Sequence, residues 1–307
     1  MKKTVFPAPL KFKHLGAPIS MALEEIEKLF LEILREHALK LRNFNQMLSF
    51  EDLCDPSNLN RMELEKLRIS LEMYRPIEMK MMDSSTKSVF YEAIGTFWVY
   101  EKTFHVYNDC FRLGFKRLLD RAEEYRQQEI SGKDSAKRLL RMEKFKEILS
   151  IAEKNVDEYP KLLQLKEVVS DYHYGFINKV IFASNATAPY IKDVLNKWGL
   201  KAEVVKNGKG IKNLEKLKSG DLNCLVYPSV PKIKLEIDRL MIIHYLLPKN
   251  REDMNQKNEC NGSIAPELVY YIYLKHFLDV RFKKITENWP KSPRRKKGQG
   301  ILDFTYD

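Results

Sequence analysis

Between residues 180 and 229 the chain alternates short apolar runs with amphipathic stretches, in an order that leaves few folds open. Val180-Ile181-Phe182-Ala183-Ser184-Asn185 has the length and content of a buried strand. Thr187 to Trp198 repeats apolar residues at helical spacing and stops at Gly199; Lys201 to Val205 is a second strand, Ile211 to Lys218 a second helix and Cys224-Leu225-Val226-Tyr227 a third strand. Each strand returns only after a helix, so tight antiparallel pairing is excluded and a parallel sheet with right-handed crossovers is expected. Arg239-Leu240-Met241-Ile242-Ile243-His244-Tyr245 reads as one more buried strand.

Upstream the pattern changes. Residues 1 to about 15 form an extended lead-in, with Phe6, Leu10, Phe12 and Leu15 interleaved with lysines. From Ser20 to about Tyr172 apolar residues recur three and four apart, as in Leu23, Ile26, Leu29, Phe30, Ile33 and Leu34, which predicts helices. Ser20 suits a helix N-cap, and Glu24 and Glu25 suit the positive end of the first helix. Asp55-Pro56-Ser57-Asn58 is a turn and Asn60 to Glu72 a second amphipathic helix, broken at Arg75-Pro76. Thr86 to Arg126 is long aromatic-rich helical material, Ser131 to Ser135 a loop, and Pro160 opens a last helix.

With 307 residues and 44% apolar content there is material for two cores. No apolar run approaches the roughly 20 residues that cross a bilayer, and Met1-Lys2-Lys3-Thr4-Val5-Phe6-Pro7 lacks a signal peptide's apolar centre, so a cytoplasmic, nucleoid-associated protein without membrane contact is expected. Cys54, Cys110, Cys224 and Cys260 are widely separated, and the histidines form no H-x-x-x-H or H-E-x-x-H pair, so no metal site or disulfide framework is signalled. A formal charge of +11 points toward a polyanion.

The motifs, in order, resemble one family. The strand ending in Phe182, the Lys201-Ala202-Glu203 strand, the helix ending Lys218-Ser219-Gly220-Asp221 and the Leu225-Val226 strand are similar to the second RecA-like domain of the archaeal helicase Hef, of FANCM and of related superfamily 2 helicases. Ser135-Ala136-Lys137-Arg138-Leu139-Leu140, Phe145-Lys146, Tyr159-Pro160-Lys161-Leu162 and Leu165-Lys166-Glu167-Val168-Val169 resemble the end of the helical insert between that family's motor domains, and Pro18 to Leu48 resembles its beginning. The resemblance covers roughly residues 5 to 250. It implies an α plus α/β chain: a thumb-like helical insert domain over residues 1–175, a degenerate RecA-like parallel-sheet domain over 176–288, and a disordered basic tail over 289–307.

The departures concern the motor. No G-x-x-x-x-G-K-S/T phosphate loop and no D-E-x-H string occurs, Gly132-Lys133 and Gly208-Lys209 being bare pairs that read as turns; the first motor domain has no counterpart. Pro228 to Ile237 keeps Ser229-Val230 of a segment that in the family touches nucleic acid and couples it to ATP, and replaces the rest. The family's Q-R-x-G-R-x-G-R arginine fingers are expected soon after the Arg239–Tyr245 strand, where Pro248 to Lys257 offers only Arg251. The E-R-K-x-x-x-D nuclease signature is absent. No catalytic residue, cofactor or metal is implied.

Binding residues are better signalled. On a helix from Ser135 to Ile148, Lys137, Arg141 and Lys144 recur at i, i+4 and i+7 beside Arg138, with Leu139, Leu140, Phe145 and Ile148 on the other face. At a rise of about 1.5 Å per residue such a row can follow a phosphate backbone and release its counterions. Glu143 and Glu147 admit the other reading, a solvated face. Arg112, Lys116 and Arg117 form a second patch. In the family the insert senses branched DNA.

The last residues add a basic, proline-broken segment containing Arg294, Arg295, Lys296 and Lys297, followed by Gln299-Gly300-Ile301-Leu302-Asp303-Phe304-Thr305-Tyr306-Asp307. An apolar peptide at the end of such a segment has no core of its own. Gln299, Leu302 and Tyr306, with Ile301 and Phe304, resemble a peptide that binds the PCNA sliding clamp, although Phe304 falls one residue early. A strand docked on the protein's own domain is the alternative. The expected function is a non-catalytic fork or repair factor, archaeal by resemblance, that binds branched DNA and PCNA, with a repair nuclease or helicase as a further partner. The alternative is one subunit of a split superfamily 2 helicase completed by a second polypeptide.

Overall fold

The computed structural model describes residues 11–44, 64, 68, 84–132, 134–171, 177–205 and 210–275. The chain divides into two compact units, Ser20–Tyr159 and the remainder formed by Met1–Ile19 with Pro160–Asp307. The division falls at Pro160 rather than at 175, and the residues before Ser20 go with the sheet rather than with the helices. The helical unit is therefore an insertion in the connectivity of the sheet unit.

The sheet unit is built on six parallel strands in the order β1 (Lys11–Ala17), β6 (Leu268–Leu274), β5 (Leu240–His244), β2 (Asn178–Phe182), β4 (Cys224–Tyr227) and β3 (Ala202–Val204). β1 pairs with β6 from Lys11 against Leu268 to Ala17 against Leu274, which makes the expected lead-in an edge strand of this sheet. β6 was not anticipated, although Leu268-Val269-Tyr270-Tyr271-Ile272-Tyr273-Leu274 is the continuous apolar run of a strand covered on both faces. Parallel strands of this kind need helices above and below. α6 (Pro160–Ser170), α7 (Ala188–Lys197), α8 (Gly210–Lys218) and α9 (Arg251–Asn258) run beside the strands.

On one face Val180, Phe182, Leu225, Tyr227, Leu240, Ile242, Val269 and Tyr271 pack with Leu214 and Leu217 of α8 and Met254 of α9, each buried side chain contributing roughly 1.5–3 kcal/mol of transfer free energy. Local chemistry places α7: Ser184 and Thr187 cap one another, the Thr187 amide donating to Ser184 Oγ at 3.1 Å and the Ser184 amide to Thr187 Oγ1 at 3.2 Å. The helix ends at Gly199, whose φ of 84° a side chain would strain. α6 packs on β6 and β1, and within the same unit the Lys161 ammonium donates to the Tyr245 carbonyl at 2.6 Å.

The helical unit contains α1 (Met21–Phe44), α2 (Ser84–Leu113), α3 (Phe115–Ile130), α4 (Asp134–Arg141) and α5 (Glu143–Lys154). The apolar stripe of α1 is buried as its spacing requires: Leu23, Ile26, Phe30, Ile33 and Leu34 are fully inaccessible. Phe30 meets Tyr107 edge-on at 5.7 Å and Phe145 at 6.4 Å, tying α1 to α2 and α5. The continuous helix expected from Thr86 to Arg126 breaks at Gly114, which takes φ 108°. A Cβ there would lie 3.0 Å from the Tyr159 ring, while the Tyr159 hydroxyl donates to the Phe111 carbonyl at 2.9 Å. Of the expected helix Asn60 to Glu72, only residues 64 and 68 are described, both helical.

Candidate nucleic-acid interface

The helix expected from Ser135 to Ile148 is two helices. Met142 is extended, φ −69° and ψ 127°, and serves as the N-cap of α5, the Phe145 and Lys146 amides donating to its carbonyl. The turn lets Leu139 on α4 and Phe145 and Ile148 on α5 all reach the core. Lys144 is thus not on the helix of Lys137 and Arg141, and the single cationic stripe is replaced by two short rows.

These cations are largely matched by acids. Arg138 Nε lies 2.6 Å from Asp134, Arg141 pairs with Glu129 at 3.8 Å and Lys144 with Glu32 at 3.0 Å. Lys116 pairs with Asp120 at 2.6 Å. Exposed pairs of this sort hold about 0–1 kcal/mol and can exchange one partner for a phosphate. Arg117 differs: it is buried and held between Glu124 at 2.6 Å and Asp109 at 3.3 Å, in a network that Arg121 shares, so it braces α3 rather than facing a ligand. Arg112 is exposed at the end of α2. Ser20–Tyr159 holds 23 Lys and Arg against 26 Asp and Glu, and the rest of the chain 30 against 16, so the surplus of +11 belongs to the sheet unit.

In an open parallel sheet the ends of the strands carry chemistry, and here one level of the sheet is a row of rings. His14 on β1, Tyr271 on β6, His244 on β5, Phe182 on β2 and Tyr227 on β4 are in register on neighbouring strands. Their centroids lie 5.2, 4.5, 5.3 and 6.2 Å apart in sequence along the row. Asn258, the last residue of α9, accepts at Oδ1 from the His244 ring at 2.8 Å and donates from Nδ2 to the Tyr271 hydroxyl at 2.7 Å. Burial holds the His244 imidazole down to a pKa of about 3 against the opposing pull of the Asn258 bond, so it is neutral at any ordinary pH.

The segment between α9 and β6 keeps part of the arginine-finger string of the resembled helicases. Set against Q-R-x-G-R-x-G-R, the stretch Gln256-Lys257-Asn258-Glu259-Cys260-Asn261-Gly262-Ser263 keeps the glutamine and the second glycine and stands directly ahead of β6. Arg251, the one arginine that the expected stretch offered, is the exposed first residue of α9. At the first two arginine positions stand Lys257 and Cys260. The Lys257 ammonium donates to Asp253 at 2.9 Å and lies 5.5 Å from the Phe182 ring, with only 9% of its side chain exposed. Cys260 is buried in the core, its thiol pushed up to about 12 by burial. Next to Cys260, fully buried Asn261 accepts from the Ile237 amide at 2.8 Å and donates to the carbonyls of Ile237 and Ile264. That bond set fixes the loop after β4, in which Glu236 and Arg239 take positive φ of 50° and 52°.

Arg294, Arg295, Lys296 and Lys297, and the peptide residues Gln299, Ile301, Leu302, Phe304 and Tyr306, lie outside the described residues. Among the described residues no group of three or more His, Cys, Asp or Glu could hold a metal, and no helix is long and apolar enough to cross a membrane.

No family model matches the chain, and no curated protein does. Among solved structures, the helicase domain of Hef from Pyrococcus furiosus superposes with a TM-score of 0.69 at 18% sequence identity, covering 90% of this chain and 57% of that one. The C-terminal part of the Fun30 ATPase domain gives 0.49 at 11% identity, covering 91% and 89%. The C-terminal domain of the DEAD-box protein Dbp5 gives 0.32 at 16%, covering 41% and 74%. The fold, a RecA-like parallel sheet whose connectivity is interrupted by a helical unit, is similar to that of the Hef helicase domain. The chain spans little more than half the length of the Hef structure it matches.

Proposed function

We propose that this chain is a non-catalytic accessory factor of superfamily 2 helicase ancestry that binds branched DNA in repair or at replication forks and reaches the PCNA sliding clamp through residues 299–306. The observation that carries the reading is the fate of the arginine-finger string: Lys257 is held by Asp253 beneath a ring, and Cys260 is packed in the core. A finger must extend a free guanidinium toward a nucleotide's phosphates, and neither side chain can do so without leaving the interior. The missing phosphate loop in the sequence supports the same reading. Purified full-length chain is expected to bind forked DNA in a salt-sensitive manner without nucleotide, and to leave ATP unhydrolysed with or without DNA. DNA-stimulated hydrolysis by the chain alone would contradict this.

A split motor is the second reading, and the retained Gln256 and Gly262, the latter still at φ 72°, favour it. It requires ATP turnover in cell extract that disappears when this chain is depleted and returns when it is added back.

A further inference from the structure

The geometry points to the N-terminal edge of the sheet beside β3, where α6, α7 and α8 run out, as the surface that meets nucleic-acid phosphates, an inference that rests on the DNA-binding reading above. Lys166, Lys197, Trp198, Lys201, Lys216 and Lys218 build it, all from the sheet unit that holds the chain's positive surplus. α7 and α8 run against the strands, so Lys197, Lys216 and Lys218 in their last turns lie at the end of the sheet where the strands begin.

Hydrogen bonds draw the turns together there. Asn196 and Ala202 exchange two bonds, at 2.8 and 3.3 Å, folding the end of α7 onto β3. Asn223 receives the Lys201 amide at 2.9 Å on its side chain and returns its own amide to the Lys201 carbonyl at 3.0 Å, while the preceding Leu222 amide donates to the Lys216 carbonyl at 3.0 Å. Lys201 and Lys216 are therefore anchored to adjacent residues. Trp198 stands half-exposed between Lys197 and Lys201, and the Lys166 ammonium lies 5.9 Å from its ring. Lysines set around a partly open indole suit phosphates and a base or sugar together.

The contrast with the helical unit decides between the two surfaces. There, most of the candidate cations already face an acid. Lys197, Lys201, Lys216 and Lys218 are exposed and have no acidic partner among the described residues. Each can thus neutralise a phosphate and release its counterion without first giving up an ion pair. Lysines also offset the negative ends of helices, but each end carries only about half an elementary charge. Of the nearby acids, Asp193 is paired with Lys192, while Asp221, which accepts from the neutral Ser219 hydroxyl, keeps its charge beside Glu203 and Glu215, three carboxylates against the five lysines Lys166, Lys197, Lys201, Lys216 and Lys218. A net positive corner remains.

The test is a salt titration of full-length protein against fluorescein-labelled duplex and forked oligonucleotides, read by anisotropy. The variant carrying Lys197→Gln, Lys201→Gln, Lys216→Gln and Lys218→Gln should bind at least about tenfold more weakly near 0.1 M salt and lose about 3 to 4 from the slope of log affinity against log salt, at roughly 0.9 per phosphate. The Lys137→Gln, Arg141→Gln, Lys144→Gln variant should change that slope by less than about one. All four sheet-edge lysines are exposed, so the unfolding temperature should hold; if it does not, Lys201→Gln with Lys218→Gln repeats the test at half the expected change in slope. A sheet-edge variant with the parent's slope overturns this inference and leaves DNA binding standing. No binding of the parent to either DNA overturns both, and capture of polyglutamate without DNA assigns the surface to an acidic protein and overturns them equally.

Discussion

His244 and Tyr271 lie face to face on neighbouring strands, ring centroids 4.5 Å apart and planes 2° from parallel, and the Asn258 side chain bonds to both. The pair sits in the middle of the ring row that crosses five strands, and the residue bridging it falls within the string that in motor proteins carries arginine fingers. Lys257 over Phe182 and Cys260 in the core stand on either side of it.

Asn258→Leu should destabilise the chain by about 2–4 kcal/mol, since it removes the Nε2 partner of the buried His244 ring and one bond to the buried Tyr271 hydroxyl at once. Tyr271→Phe, which removes only one of the two bonds, should cost less, about 1–2 kcal/mol. Urea unfolding measures both. Equal effects would mean that the stacking, and not the bridging amide, holds the row.

Stability should fall as the solution is acidified well before any carboxylate titrates. His244 is neutral in the fold down to about pH 3 but takes a proton near pH 6.5 once unfolded. Between those values the unfolded chain binds more protons, so acid favours unfolding, by at most about 1.4 kcal/mol per pH unit. His14 and His37 are shifted down by burial as well and act in the same direction. Unfolding free energies at pH 7.5, 6 and 5 should decline, and His244→Phe should flatten the decline. An unchanged slope in that variant would show the imidazole to be hydrated.

Gly114→Ala should cost about 1–3 kcal/mol, because the residue combines a φ of 108° with a Cβ position 3.0 Å from the Tyr159 ring. The same change at Gly132, where nothing lies within 4 Å, carries only the backbone part and should be milder. Thermal unfolding of the two variants separates crowding from conformation.

Much of the sheet was legible beforehand because its signals are local. Cys224-Leu225-Val226-Tyr227 is apolar without interruption, and Gly199 marks where α7 stops. β1 was harder: Lys11 to Ala17 alternates like any exposed lead-in, and only its distant partner β6 makes it a strand. The split at Met142 was hidden because the apolar spacing from Leu139 to Phe145 and Ile148 suits one helix as well as two. Charge was the least legible. A row of cations is visible in sequence, but Glu32 and Glu129, which face Lys144 and Arg141, come from elsewhere on the chain.

Leu302→Ala with Tyr306→Ala should abolish PCNA binding while leaving DNA affinity and unfolding temperature unchanged. Ordering about eight residues costs roughly 1–2 kcal/mol each, which the burial of Leu302, Phe304 and Tyr306 must outweigh, so the parent affinity should be micromolar. A large drop in unfolding temperature in the double variant would place the peptide in the protein's own fold instead.

Calorimetric titration of the full-length chain with magnesium ATP, in the presence and absence of forked DNA, tests most directly whether the finger positions have been given over to the core. With Lys257 held by Asp253 and Cys260 buried, no binding heat is expected at nucleotide concentrations up to the millimolar range. A micromolar dissociation constant would contradict the account, because it would require these side chains, or others in the chain, to meet phosphates after all.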